Sequence, residues 1–309
     1  MGIGEVAPAL AATAGVTGDA GAIQASPTVW RRWLAAELRR LRAEAGLGQK
    51  QVAKALRCTV TKVSYFENAQ RPVVPRDLDE VLLPLYGVPE HGWSQYLDAA
   101  RRSREKGWWE SYDDDILPEW FARFVGLEQG ASRLWSYEPQ SVAGLLQTPD
   151  YAAAVISGAS TGFTEDQIAR RVELRIRRQA VLSRAHDPLQ LWVVLDEAAL
   201  RRVVGGPAAM RAQLDHVTDL AERPNITVQV LPFDRGAHTG MAGGFRILGF
   251  PWLTDPGVGF IESGWSVGIY FEQPHEVEDQ ILAFVKLRDL ALPPTESVTM
   301  LRGVARELG

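Results

Sequence analysis

The stretch QKQVAKALRCTVTKVSYFEN, from Gln49 to Asn68, constrains the fold more than any other part of the chain. It predicts a helix from Gln49 to Leu56, a turn through Arg57 and Cys58, and a second helix opened by Thr59, whose hydroxyl can accept a backbone N–H bond. Val63 and Phe66 fall on one inner face of that second helix, and the small Ala53 lets the two helices cross closely. Upstream, WRRWLAAELRRLRAEAG spaces Trp30, Leu34, Leu38, Leu41 and Ala45 by four and three, with arginines opposite; this is an amphipathic helix, ended by Gly46. Downstream, Pro72 and Pro75 interrupt the chain, and Leu78, Val81, Leu82 and Leu85 form a further apolar helix that closes the bundle. An all-α unit between about Trp30 and Tyr86 is therefore expected.

Charge separates this unit from the rest of the chain. The 309 residues carry a formal net charge of −5, a poor match for an anionic partner. Between Trp30 and Lys62, however, nine basic residues (Arg31, Arg32, Arg39, Arg40, Arg42, Lys50, Lys54, Arg57 and Lys62) face only Glu37 and Glu44, a local balance of about +7. The remainder is correspondingly acidic. Such polarity lets one domain attract phosphates while the other keeps the protein soluble. Cys58 is the only cysteine, which rules out an intrachain disulfide and a thiolate metal cluster and fits a reducing cytoplasm. Residues 1–27, rich in Ala, Gly, Thr and Pro, lack the basic start and compact apolar run of a signal peptide and are expected to be a disordered arm. No apolar run reaches bilayer-spanning length, so no membrane association is expected.

The helical unit resembles the lambda-repressor/Cro-like, or xenobiotic-response-element-type, helix-turn-helix domain over about sixty residues. Gln49 stands at the first position of the motif, Ala53 at its small crossing position, Val63 at its buried aliphatic position, and Phe66-Glu67 where the family has an aliphatic residue followed by glutamate. Arg57 departs from the pattern, since the family usually has glycine in that turn. Keeping the same positive-φ backbone with arginine costs about 1 kcal/mol. The resemblance implies binding to double-stranded DNA by a helix in the major groove. Thr59, Val60, Thr61, Lys62 and Tyr65 are the expected base-contacting residues: Lys62 as a donor to guanine, Thr61 to either kind of base edge, Val60 against a thymine methyl group. Gln49, Ser64, Asn68 and Arg71 are expected on the DNA backbone, where contacts set register without reading sequence.

Beyond residue 90 the expectation is a charged helical connector over 91–106, then a regulatory or partner-binding domain over 107–309. A helix near Pro118 to Gln129 precedes a possible strand RLWSYE. Thr148 before Pro149 opens another helix. An arginine-rich helix over 165–183 carries an apolar stripe near positions 172, 176 and 181, its arginines read as solvated or paired within the domain. LQLWVVLD and ITVQVLPF read as strands separated by helices, and FRILGF, GVGFIES and VGIYFEQ as an antiparallel meander, with two closing helices. The fold class is therefore α+β overall, an all-α helix-turn-helix bundle followed by a mixed α/β domain. The order WWESY, GLLQT, RRQAVL, LDEAALRRVVGG, QLDHV, NITVQVLP and GGFRILGF also resembles the C-terminal domain of actinomycete helix-turn-helix regulators, sometimes described as antitoxin-like, although Ala143 replaces a frequent proline. That resemblance implies a regulator often encoded beside a small partner protein.

Catalytic and cofactor chemistry finds little support. His91, His186, His216, His238 and His275 are scattered without metal-ligand spacing, so no metal is expected. Asp196 and Glu197 are adjacent, and Asp196 fits a helix cap better than an acid/base pair. No nucleophile elbow or phosphate loop occurs, and GAHTGMAGG reads as a flexible loop or ligand lid. No catalytic residue, no cofactor and no enzyme is expected. Two alternatives accompany the DNA-binding regulator: an antitoxin-like module that binds a small protein encoded nearby, and a small-molecule sensor with Trp108, Trp109, Trp135, Trp192 and Trp252 as pocket walls. A homodimer with two recognition helices about 34 Å apart completes the expectation.

Overall fold

The computed structural model describes residues 25–159, 162–252, 255–263 and 267–309. The chain divides into two compact units. The first runs to Glu110 and includes Pro251–Asp255; the second comprises Ser111–Phe250 and Pro256–Gly309.

In the first unit, α1 (Pro27–Glu44) starts earlier than its apolar spacing predicts. Ser26 is buried and accepts from the Val29 amide at 3.2 Å, and Pro27 occupies the first turn, where a missing N–H costs nothing. The arm expected over residues 1–27 thus ends sooner, and through residue 24 it lies outside the described residues. Gly46 closes α1 at φ 67°, with Leu47 N–H reaching the Arg42 carbonyl at 3.0 Å and Gly46 N–H that of Ala43. α2 (Gln49–Ala55) and α3 (Val60–Glu67) follow. A short α4 (Pro75–Asp77) continues through a π-helical turn, Leu78–Leu82, into α5 (Leu83–Leu85). The widened turn has a local cause: Pro84 has no N–H and its ring would strike the carbonyl four residues earlier in a regular α-helix.

The helix expected as a connector is α6 (Trp93–Arg102), and it belongs to this unit. Tyr96, Ala99 and Ala100 are buried with Leu34, Leu38, Val63, Phe66, Leu78 and Leu82 in one core. The charges of this stretch gather at its end, from Arg101 to Lys106, and the three buried positions on one face decide where the helix goes. Trp252 lies 5.4 Å from Trp30 and 5.9 Å from Trp33, ring centroid to ring centroid.

The second unit is built on a six-stranded mixed sheet in the order β3-β2-β1-β4-β5-β6. β1 (Arg133–Glu138), β2 (Gln190–Asp196) and β3 (Ile226–Leu231) are parallel. β4 (Phe245–Gly249), β5 (Val258–Ser263) and β6 (Val267–Phe271) run as the expected antiparallel meander, with β4 paired to β1. α7 (Glu119–Gly130) precedes β1; α8 (Pro149–Ala159) and α9 (Glu165–Arg178) join β1 to β2. α10 (Glu197–Arg201) and α11 (Pro207–Leu220) join β2 to β3, and α12 (Pro274–Leu290) and α13 (Pro294–Glu307) close the chain. Parallel neighbours need such crossovers, which is why strands and helices alternate here and not in the meander. The buried positions of α9 are Leu174 and Arg178, not the expected 172 and 176, which are only partly buried. Buried ion pairing shifts the inner face of this helix, a choice hydrophobic spacing cannot register. Among the described residues no helix is long and apolar enough to cross a membrane.

Candidate nucleic-acid interface

α2 and α3 are joined by a turn whose geometry is set by one residue. Arg57 adopts φ 50°, the left-handed conformation that glycine takes most easily, so the turn is kept despite the substitution. Cys58 N–H reaches the Ala53 carbonyl at 2.9 Å and Arg57 N–H that of Lys54 at 3.2 Å, which satisfies the last carbonyls of α2. Thr59 then caps α3 by accepting from the Lys62 amide at 3.2 Å. Val63 and Phe66 point into the core, which leaves Val60, Thr61, Lys62 and Tyr65 on the exposed side.

A buried latch holds α3 in place. Glu67 is only 1% exposed and takes two bonds from Arg42 of α1, at 2.6 and 3.0 Å, and one from Gln49 of α2, at 2.8 Å. Arg42 also donates to the Leu47 carbonyl at 2.9 Å. Its bonds to Glu67 hold the guanidinium protonated well above its usual range. One carboxylate therefore ties three helices, and the glutamate of the motif has a structural task. Sequence inspection did not single out Arg42, because its partner lies twenty-five residues away.

The expected site residues divide by what they already do. Val60, Thr61 and Tyr65 are open to solvent, with the Arg71 guanidinium 5.6 Å from the centre of the Tyr65 ring. Thr59 uses its hydroxyl as the helix cap. Lys62 reaches sideways to Asp77, Nζ to Oδ2 at 2.8 Å, and must leave that partner to touch a base. An exposed pair of this kind is worth only about 0.2–1 kcal/mol. Gln49 has one amide hydrogen on Glu67, and Asn68 donates to Ser64 at 3.1 Å. Among the described residues Lys50, Lys54, Arg57 and Arg71 have no carboxylate partner. Burial pushes the Cys58 thiol up, so it is a poor nucleophile in this turn.

A helix-turn-helix domain matches residues 33–92. A domain of unknown function, DUF5753, matches residues 121–303. The chain belongs to the DUF5753 family. No curated protein and no solved structure matches it. The helix-turn-helix domain points to a DNA-binding regulator rather than an enzyme.

Within the DUF5753 domain the features considered for chemistry have structural partners. Asp196 caps α10 by accepting from the Ala198 amide at 2.9 Å, and it also accepts from the Tyr137 hydroxyl at 3.0 Å. Burial and the Asp196 charge raise the Tyr137 hydroxyl above its ordinary range. In the loop read as a flexible loop or ligand lid, Gly240 packs against this pair. Gly240 is buried, and a Cβ there would come within 2.3 Å of the Tyr137 ring, so only glycine permits the approach. Of the five tryptophans considered as pocket walls, Trp108, Trp109 and Trp252 fall in the first unit and Trp135 and Trp192 in the second. Trp135 stacks on Phe284 of α12 at 5.7 Å, and Trp192 bonds Gln229 at 2.8 Å. Arginines of α9 have partners within the domain: at the surface Arg170 bonds Asp113 at 3.1 Å and Arg171 bonds the Asp115 carbonyl, and in the interior Arg178 forms a bidentate pair with Glu128 at 2.8 Å.

Proposed function

We propose that the protein is a sequence-specific transcriptional regulator of the lambda-repressor/Cro-like type, reading the major groove of double-stranded DNA through α3. The observation that carries this is the contrast on one helix: Val63, Phe66 and Glu67 are locked inward, while Val60, Thr61, Lys62 and Tyr65 face solvent in a unit where four cations have no carboxylate partner among the described residues. Thr61 and Lys62 supply donors for base edges and Val60 an apolar surface for a thymine methyl group. Lys50, Lys54, Arg57 and Arg71 supply phosphate contacts, with Ser64, Asn68 and the remaining amide hydrogen of Gln49 setting register. A homodimer sets two such helices about 34 Å apart on successive turns of a cytoplasmic DNA target, and the DUF5753 domain dimerises or receives the signal.

The test is binding to the DNA upstream of the protein's own gene, compared with random DNA, over a salt series. Specific complexes whose affinity falls steeply with salt are expected, with K62A and Y65A weakening them. Equal affinity for both DNAs overturns sequence-specific recognition.

A further inference from the structure

The DUF5753 domain gathers three arginines on one side of its sheet, and they are not equivalent. Arg178 of α9 has its bidentate partner in Glu128. Arg246 of β4 pairs with Glu138 at 3.0 Å and with Glu262 at 3.4 Å, and Ser136 donates to the same Glu138 at 2.5 Å. Arg175 sits one helical turn before Arg178 on α9 and bonds a neutral partner, the Gln147 side-chain oxygen, at 2.7 Å. Among the described residues no carboxylate lies within 4 Å of its guanidinium. The three carboxylates that face the cluster, Glu128, Glu138 and Glu262, are already engaged by the other two arginines.

Arg175 is also held in readiness. Gln147 is buried and fixed by its own bonds: its side-chain nitrogen donates to the Val142 carbonyl at 2.6 Å, and its backbone carbonyl accepts from Gln179 at 2.7 Å. Arg175 is part-buried as a residue, and its guanidinium is packed among protein groups. Burial, with Arg178 and Arg246 adding repulsion and the more distant Glu262 and Glu138 opposing it, lowers its pKa to about 10. A desolvated cation without a counter-ion is costly unless something supplies one. The position is informative too. Glu138 ends β1, Gln147 follows the loop after it, and β1 is the strand at which the order reverses, with β2 on one side and β4 on the other. Open α/β sheets place ligands outside the carboxyl ends of their parallel strands, and β1, parallel to β2 and antiparallel to β4, is the last parallel strand on this side.

We propose that Arg175 is the anion-binding residue of a small-molecule site in the DUF5753 domain, and that the ligand is a small metabolite presenting a carboxylate to the guanidinium. A planar fork of N–H donors matches a carboxylate with two parallel bonds. Gln147 holds the fork's orientation, and Arg178 and Arg246 add positive potential without giving up their own partners. The site belongs to the DUF5753 domain, and its test uses no DNA.

The experiment is thermal unfolding of the full chain at constant ionic strength, titrated with sodium acetate or sodium succinate against sodium chloride and sodium phosphate. A saturable rise in the melting temperature of the DUF5753 domain is expected with a carboxylate, about 5–10 °C at a hundredfold excess over Kd. R175M is expected to lose that rise and, without ligand, to melt no lower than the unaltered protein, because an uncompensated charge is gone. R175K keeps the charge but not the fork and is expected to bind at least about tenfold more weakly. Equal melting temperatures of the unaltered protein in carboxylate and chloride overturn the proposal whatever the variants do. So does a rise that R175M retains, or one produced by phosphate alone.

Discussion

α1 to α3 and α9 are both rich in arginine and lysine, and they use those residues in opposite ways. Around α3 a single buried pair, Arg42 with Glu67, organises the scaffold, while Lys50, Lys54, Arg57 and Arg71 stand without carboxylate partners among the described residues. On α9, Arg170 and Arg178 are ion-paired and Arg171 and Arg175 bond neutral oxygens within the domain. A basic helix is therefore a nucleic-acid surface only where its charges are left over after the fold has been satisfied. Counting residues cannot show the difference; the partners can.

The largest effect that can break this comparison comes from the two buried pairs. R178A strands Glu128, whose side chain is 1% exposed, and is expected to cost the DUF5753 domain about 3–5 kcal/mol. R42A strands Glu67 in the same way, but Arg42 itself is nearer solvent, and about 3 kcal/mol is expected from the helix-turn-helix unit. Hydrogen exchange resolved by segment reads each unit separately. A loss below about 1 kcal/mol in either would show that the pair is incidental.

Next in size is the DNA response. K62A is expected to cost about 1–3 kcal/mol of specific affinity. D77N releases Lys62 and removes a negative charge, so tighter binding is expected, by no more than about fivefold given the worth of an exposed ion pair. R170A on α9 should leave affinity and salt slope unchanged. A shallower slope in R170A would place α9 on DNA and erase the contrast.

A smaller effect tests the turn. R57G relieves the left-handed φ of 50° but frees the unfolded chain, so a net gain of at most about 1 kcal/mol is expected in denaturant unfolding. A loss would mean that the arginine side chain supports the turn in a way its backbone does not reveal.

The smallest effect concerns acid. Burial lowers the pKa of His216 on α11, with Arg223 adding to the shift and Asp219 opposing it. The unfolded chain therefore takes up the proton more readily than the folded one, and stability is lost as pH falls through the ordinary histidine range. H216Q is expected to flatten the drop in DUF5753-domain stability between about pH 7 and pH 5.5. An unchanged profile would assign the acid sensitivity to other groups.

Much of the helix-turn-helix unit was legible because its signals are local. The Thr59 cap, the Gly46 ending, the inward pair Val63 and Phe66, and the interrupting prolines all act within one or two helical turns. The strands and the antiparallel meander were legible for the same reason. The membership of α6 in this unit was not, because its three buried positions have partners that are remote in sequence. The site residues were legible as a surface. Their present engagements, Lys62 with Asp77 and Gln49 with Glu67, were not.

The sequence alone determined where helices start and stop, which faces are apolar, and that positive charge concentrates before residue 62, since capping, periodicity and composition are properties of neighbouring residues. Only the tertiary structure decided which charges remain for a partner. That depends on pairs fifteen to fifty residues apart, Lys62–Asp77, Arg42–Glu67 and Arg178–Glu128, and on Arg175, whose guanidinium folding buries with no carboxylate in contact among the described residues. Burial sets the energy of a charge, and burial is a property of the assembled fold.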